Sequence, residues 1–81
     1  MISERLKKVI LNHLKLNDFV LKEEMQAFQV PGWDSLNHVI ILAAIEEEYS
    51  IHFNIEEILR LKNLGDLQNL VNSKIADNSS P

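Results

Sequence analysis

An all-α fold, a small antiparallel four-helix bundle with three long helices and one short one, is predicted by three features of this chain. Apolar residues recur at helical spacing in three long segments, which is the mark of helices that bury one face. No segment alternates apolar and polar residues in the manner of a half-buried strand. The segments are parted by turn-forming residues at Asn17-Asp18, Pro31-Gly32 and Gly65-Asp66, so that successive helices fold back on one another.

The first helix is expected from Ile2 to Leu14. Ile2, Leu6, Val9, Ile10 and Leu14 form a single stripe, and Ser3 before a charged run is a suitable start. Residues 16–33 form a long connection with a short helical turn expected around Val20 to Met25. A structureless loop of that length is unusual in a compact domain. Its apolar residues Phe19, Val20, Leu21, Met25, Phe28 and Val30 are therefore expected to pin it over the core.

The second helix is expected from Leu36 to Tyr49. At 100° per residue, Ile41, Leu42, Ile45 and Tyr49 share the side that faces the core, against Leu6, Val9, Ile10, Leu70 and Val71. Leu36, Ile40, Ala43 and Glu47 share the opposite side. That outer stripe is either a partner surface or the place where the 16–33 connection lies. Phe53 is expected to anchor a loop at 50–54, with Asn54 or a neighbour capping a short helix through Ile55, Ile58 and Leu59. Asp66 is expected to cap a last helix carrying Leu67, Leu70, Val71 and Ile75. Residues 1–76 thus read as one domain and 77–81 as a disordered polar tail.

Composition removes several classes of function. With 46% hydrophobic and 25% charged residues the chain is globular in make-up, and no apolar run approaches a bilayer span. Met1-Ile2-Ser3-Glu4-Arg5 does not begin a signal peptide, so the cytoplasm is expected. There is no cysteine, and His13, His38 and His52 lack the spacing of a zinc motif, so no metal site is expected. Eighty-one residues bury only about 60–65% of the unfolded surface, which leaves little interior for an enclosed active site. The net charge of −4 is unevenly spread: residues 1–15 carry +3 and the remainder −7. Such a body disfavours nucleic acid and favours partners with basic patches, whose association it accelerates.

The chemistry gathers at Gly32-Trp33-Asp34-Ser35-Leu36. Pro31 and Gly32 turn the chain, Asp34 or Ser35 can cap the second helix, and Ser35 becomes an exposed hydroxyl at the positive end of a helix dipole. Anions are favoured there, so the position suits a phosphate ester. A nucleophilic enzyme is a poorer reading. His38 lies on the next turn from Ser35, yet no Gly-x-Ser-x-Gly elbow or oxyanion hole accompanies the pair. Glu46, Glu47 and Glu48 point three ways around a helix, which rules out a paired acid–base site.

Asp34-Ser35-Leu36, with Gly32 before it and a helix closing on Ile45-Glu46-Glu47-Glu48-Tyr49 after it, resembles the acyl carrier and peptidyl carrier proteins. The likeness extends over about Ile2 to Ile75. It implies an acyl-carrier-like bundle that is a substrate of enzymes and not itself an enzyme. Ser35 is implied as the attachment point of a covalent phosphopantetheine arm taken from coenzyme A, and the arm's thiol would hold an acyl or aminoacyl group as a thioester. The absence of cysteine is compatible with a carrier whose only thiol sits on that arm.

The implied partners are a phosphopantetheinyl transferase and pathway enzymes such as an acyltransferase, an adenylating enzyme or a ketosynthase. They would meet a surface of Asp34, Leu36, Ile40, Ala43 and Glu47 on a monomer that binds neither nucleic acid nor membrane. Fatty-acid carriers are more acidic where this chain has Asn37, His38 and Ile40, which favours a specialised polyketide, nonribosomal-peptide or similar pathway. The alternative is an unmodified helical interaction module with the same bundle.

Overall fold

In a computed structural model, which describes residues 1–78, the chain forms α1 (Glu4–Leu14), a 3-10 turn (Ala27–Gln29), α2 (Ser35–Tyr49), α3 (Ile55–Leu59) and α4 (Leu64–Asn78). Among the described residues there is no strand. Three long helices and one short one thus make the expected all-α bundle.

Ser3 starts α1 by accepting the Leu6 N–H through its hydroxyl at 3.2 Å, and Asn54 starts α3 by exchanging hydrogen bonds with Glu57. Helices α1 and α2 stop alike. Lys15 (φ 58°) and Ser50 (φ 55°) adopt the left-handed conformation. The next residues then donate back into the helix, Leu16 to the Leu11 carbonyl and Ile51 to the Glu46 carbonyl, each at 3.0 Å. These caps satisfy carbonyls the helices would otherwise leave orphaned and reverse the chain.

Leu6, Ile10, Ile41, Ile45, Leu64 and Val71 are at most 1% exposed and form one cluster with Val9, Leu42 and Phe53. The core face assigned to α2 is correct for Ile41, Leu42 and Ile45. Tyr49 and Leu70 are only half-buried. The Tyr49 ring lies under the Arg5 guanidinium, 4.3 Å from its centroid, and Arg5 also binds Glu48 at 2.8 Å. That cluster joins α1 to the end of α2 at the rim of the core.

Three local expectations are corrected. The helical turn around Val20 to Met25 does not form. The segment closes a single turn, Met25 N–H donating to the Lys22 carbonyl at 3.1 Å, and the Met25 and Glu23 carbonyls accept from the Leu64 and Gly65 N–H groups, at 2.8 and 2.9 Å. The approach is close: a Cβ at Gly65 would lie 3.1 Å from Glu23 Cβ. Just before that turn Leu21 is buried and Val20 is 63% exposed. Val20 therefore does not pack over the core. Neither does Phe28, which is 60% exposed and whose ring lies 5.3 Å from that of His38.

The start of α4 is the third correction. Asn63 Oδ1, and not Asp66, accepts at the helix head, taking the Asp66 N–H at 2.8 Å. Asp66 accepts in turn from the Lys62 N–H at 3.0 Å. Burial of Leu64 in the first turn draws the helix start ahead of Gly65. At its other end α4 runs to Asn78, through the first residues of the expected tail, and residues 79–81 lie outside the described residues. Among the described residues no helix is long and apolar enough to cross a membrane.

Candidate functional site

The head of α2 is built by its own local chemistry. Gly32 takes φ 84°, a turn conformation that a side chain disfavours, and its carbonyl accepts from Asn37 Nδ2 at 2.8 Å. Asp34 Oδ1 accepts the Asn37 N–H at 2.8 Å, so the cap is Asp34. Ser35 follows as the first helical residue and is exposed. Its hydroxyl is not used in capping, and the unpaired N–H groups of the first turn lie beside it.

The outer stripe of α2 is open to solvent. Leu36 is 70% and Ile40 41% exposed, and Asp34, Ala43 and Glu47 are exposed too. The alternative in which the 16–33 connection covers this face is therefore excluded. The apolar surface is broader than the stripe suggested, since Val39, Phe28, Ile55 and Leu59 are each at least 60% exposed.

The acidic triplet divides its work. Glu46 accepts the Phe53 N–H at 2.8 Å and thereby holds the 50–54 loop, and Glu48 pairs with Arg5. Glu47 remains exposed. Beyond the loop, Glu57 ties α3 to α4 through Lys74 at 2.8 Å. The backbone N–H of Asn54, followed by the Lys74 ammonium, holds the Glu57 carboxyl below its ordinary pKa.

Trp33 is the residue that sequence reasoning missed. It is 3% exposed, and its Nε1–H donates to His38 Nδ1 at 3.0 Å. Relative to the Asp34 cap these are the positions just before the cap and four into the helix. That is the spacing of a hydrophobic staple, and it was the available signal. Both rings line a cavity of about 540 Å³ between the connection, α2 and the α3–α4 segment, together with Phe28, Leu42, Ile58 and Leu64. The cavity begins on the turn after Ser35.

Burial lowers the pKa of His38 below the ordinary histidine value, and the indole hydrogen bond also requires an unprotonated Nδ1. The folded state therefore favours neutral His38. Its contribution to stability should be complete above the unfolded histidine pKa, about 6.5, and should be lost as pH falls from there through the lowered folded value. Thermal melts between about pH 8 and 5 should show an acid-side fall in Tm that is smaller in His38→Gln.

The described residues thus form a small four-helix bundle with an exposed serine at the first position of its second helix. No family model matches the chain. Over 71 residues it is 31% identical to an acyl carrier protein of Clostridium acetobutylicum, covering 88% of this chain and 92% of that protein. Over 66 residues it is 32% identical to one of Wolinella succinogenes, covering 82% and 87%. The solution NMR structure of a holo acyl carrier protein from Geobacter metallireducens is similar with a TM-score of 0.83 and 32% identity, covering 94% of this chain and 91% of that one. The chain belongs to the acyl carrier protein family. Membership brings with it a covalently attached phosphopantetheine group and, in general terms, biosynthetic enzymes as partners.

Proposed function

We propose that this protein carries acyl or aminoacyl intermediates as thioesters on a phosphopantetheine arm, joined by a phosphodiester to Ser35. The observation that carries the reading is an exposed Ser35 hydroxyl at the first position of α2, left free because Asp34 does the capping. The arm supplies the thiol. Asp34 fixes the helix start, Gly32 turns the chain so that Ser35 stands clear of the connection, and the first-turn N–H groups favour the phosphate charge. A tethered cargo reaches each enzyme at high effective concentration, and the protein itself is not a catalyst.

The chain has no cysteine, which makes a direct test available. After treatment with coenzyme A and a broad-specificity phosphopantetheinyl transferase, titration with a thiol reagent should find one thiol per chain where the untreated protein has none. A treated chain still without thiol would favour the alternative, an unmodified interaction module.

Pathway enzymes, whether an acyltransferase, an adenylating enzyme or a ketosynthase, would dock on Asp34, Leu36, Ile40, Ala43 and Glu47. Apolar Ile40 and exposed Val39 beside Ser35 support a docking face read by shape more than by charge, which favours a dedicated carrier in a specialised pathway over a general fatty-acid role. The acidic body disfavours nucleic acid, and the proposed setting is a cytoplasmic monomer. Ile40→Asp should slow modification while changing stability by no more than about 0.5 kcal/mol. Glu47→Lys should slow association by an amount that shrinks as salt rises. Loading kinetics alongside thermal melts check both, and an unfolded Ile40→Asp would contradict this docking face.

A further inference from the structure

The Trp33–His38 pair has a chemical consequence for the cavity it borders. An indole N–H can only donate, so His38 Nδ1, 3.0 Å away, must accept. Above its lowered pKa the ring is then the tautomer with its proton on Nε2, in the way a second hydrogen-bond partner fixes a functional histidine. The ring is further held by Phe28 at 5.3 Å.

Other polar groups lining the cavity are committed or hydrated. Gln26 and Lys62 are exposed, and Asn63 Oδ1 caps α4. His38 is half-buried, lines a cavity otherwise dominated by apolar side chains, and lies three residues along α2 from Ser35, within neighbouring distance on a helix. A donor in such surroundings is worth more than one in water, and it discriminates against ligands that leave it unpaired.

We propose that His38, held by Trp33 as the Nε2–H tautomer, donates a hydrogen bond to an acceptor oxygen of what Ser35 carries. This rests on the carrier reading above. The oxygen can belong to the arm itself, as phosphate or amide carbonyl, or to the cargo, as a hydroxyl or oxo group near the thioester. His38 is a positioning and selecting residue in either case, since it takes no part in bond making.

Long-range proton–nitrogen NMR of the 15N-labelled imidazole tests this on four forms of the whole chain: unloaded, carrying the arm alone, carrying a saturated acyl group, and carrying a 3-hydroxyacyl group of equal length. The unloaded chain at neutral pH should show a protonated Nε2 and a bare Nδ1, and Trp33→Phe should return it to a mixture of tautomers. A downfield shift and slowed exchange of the Nε2 proton with the arm alone assigns the acceptor to the arm. The same change only with the 3-hydroxyacyl group assigns it to the cargo. A protonated Nδ1 in the unloaded chain overturns the proposal, as does an unchanged Nε2 proton in all three loaded forms with loading confirmed by intact mass. A chain that takes up no mass overturns the carrier reading, and this proposal with it.

Discussion

Ser35→Ala is expected to give a folded bundle that cannot be loaded at all. The substitution removes the oxygen that would bond to phosphorus, and no neighbour replaces it, because the adjoining Asp34 carboxylate is occupied with the Asn37 N–H. Stability should barely change. Ser35 is exposed and is not the cap, so the expected cost is within about 0.5 kcal/mol, less than the 0.5–2 kcal/mol typical of a lost N-cap. Thiol titration and thermal melting on the same sample separate the two effects: the thiol should be absent and the melt preserved. Asp34→Ala should behave in the opposite way, lowering the melting temperature through the lost cap while leaving a serine that can still be loaded.

Ile45→Ala should produce the largest loss of stability. Ile45 is 0% exposed and sits in the cluster formed by Leu6, Val9, Ile10, Ile41 and Val71. Truncating it removes buried methylenes and leaves a cavity that a tightly packed small core cannot fully close, at a cost of about 2–5 kcal/mol. A domain of this size has only about 5–15 kcal/mol in total, and each kcal/mol moves Tm by roughly 4–8 °C. A fall of about 10 °C or more is therefore expected. Ile40→Asp on the outer face of the same helix should leave the melt nearly unchanged. The contrast between them tests the rotational phase of α2 directly, and a melt for Ile45→Ala within about 2 °C of the unsubstituted protein would contradict it.

The elements legible in the sequence were those whose signal is local and repeated. The stripe Leu6, Val9, Ile10 and a start at Ser3 follow from helical period and hydrogen-bonding chemistry, and the structure realises them, while it chooses Asp34 over Ser35 and fixes Asn54 as the caps that the sequence left open. Features decided between distant segments were not legible. Leu64 and Gly65 take their carbonyl partners from Met25 and Glu23. That exchange ties the connection to the head of α4, which Asn63 caps, and leaves residues 22–25 as a single turn. No pattern within either segment announces it.

At the site, the serine and its helix could be read because they depend on consecutive residues. The Trp33–His38 bond is signalled only by spacing, the two residues standing just before the cap and four into the helix as in a staple. The openness of Phe28 and Val39 had no local signal, since an apolar side chain looks the same whether it faces a core or a partner.

The central claim is that the arm is carried by Ser35. Tandem mass spectrometry of the proteolysed chain, after treatment with coenzyme A and a phosphopantetheinyl transferase, addresses it most directly. A single modified peptide is expected, whose fragments put the added phosphopantetheine on Ser35, with Ser3, Ser50, Ser73, Ser79 and Ser80 unmodified. An arm on any other serine, or a fully unmodified digest from a folded chain, would contradict it.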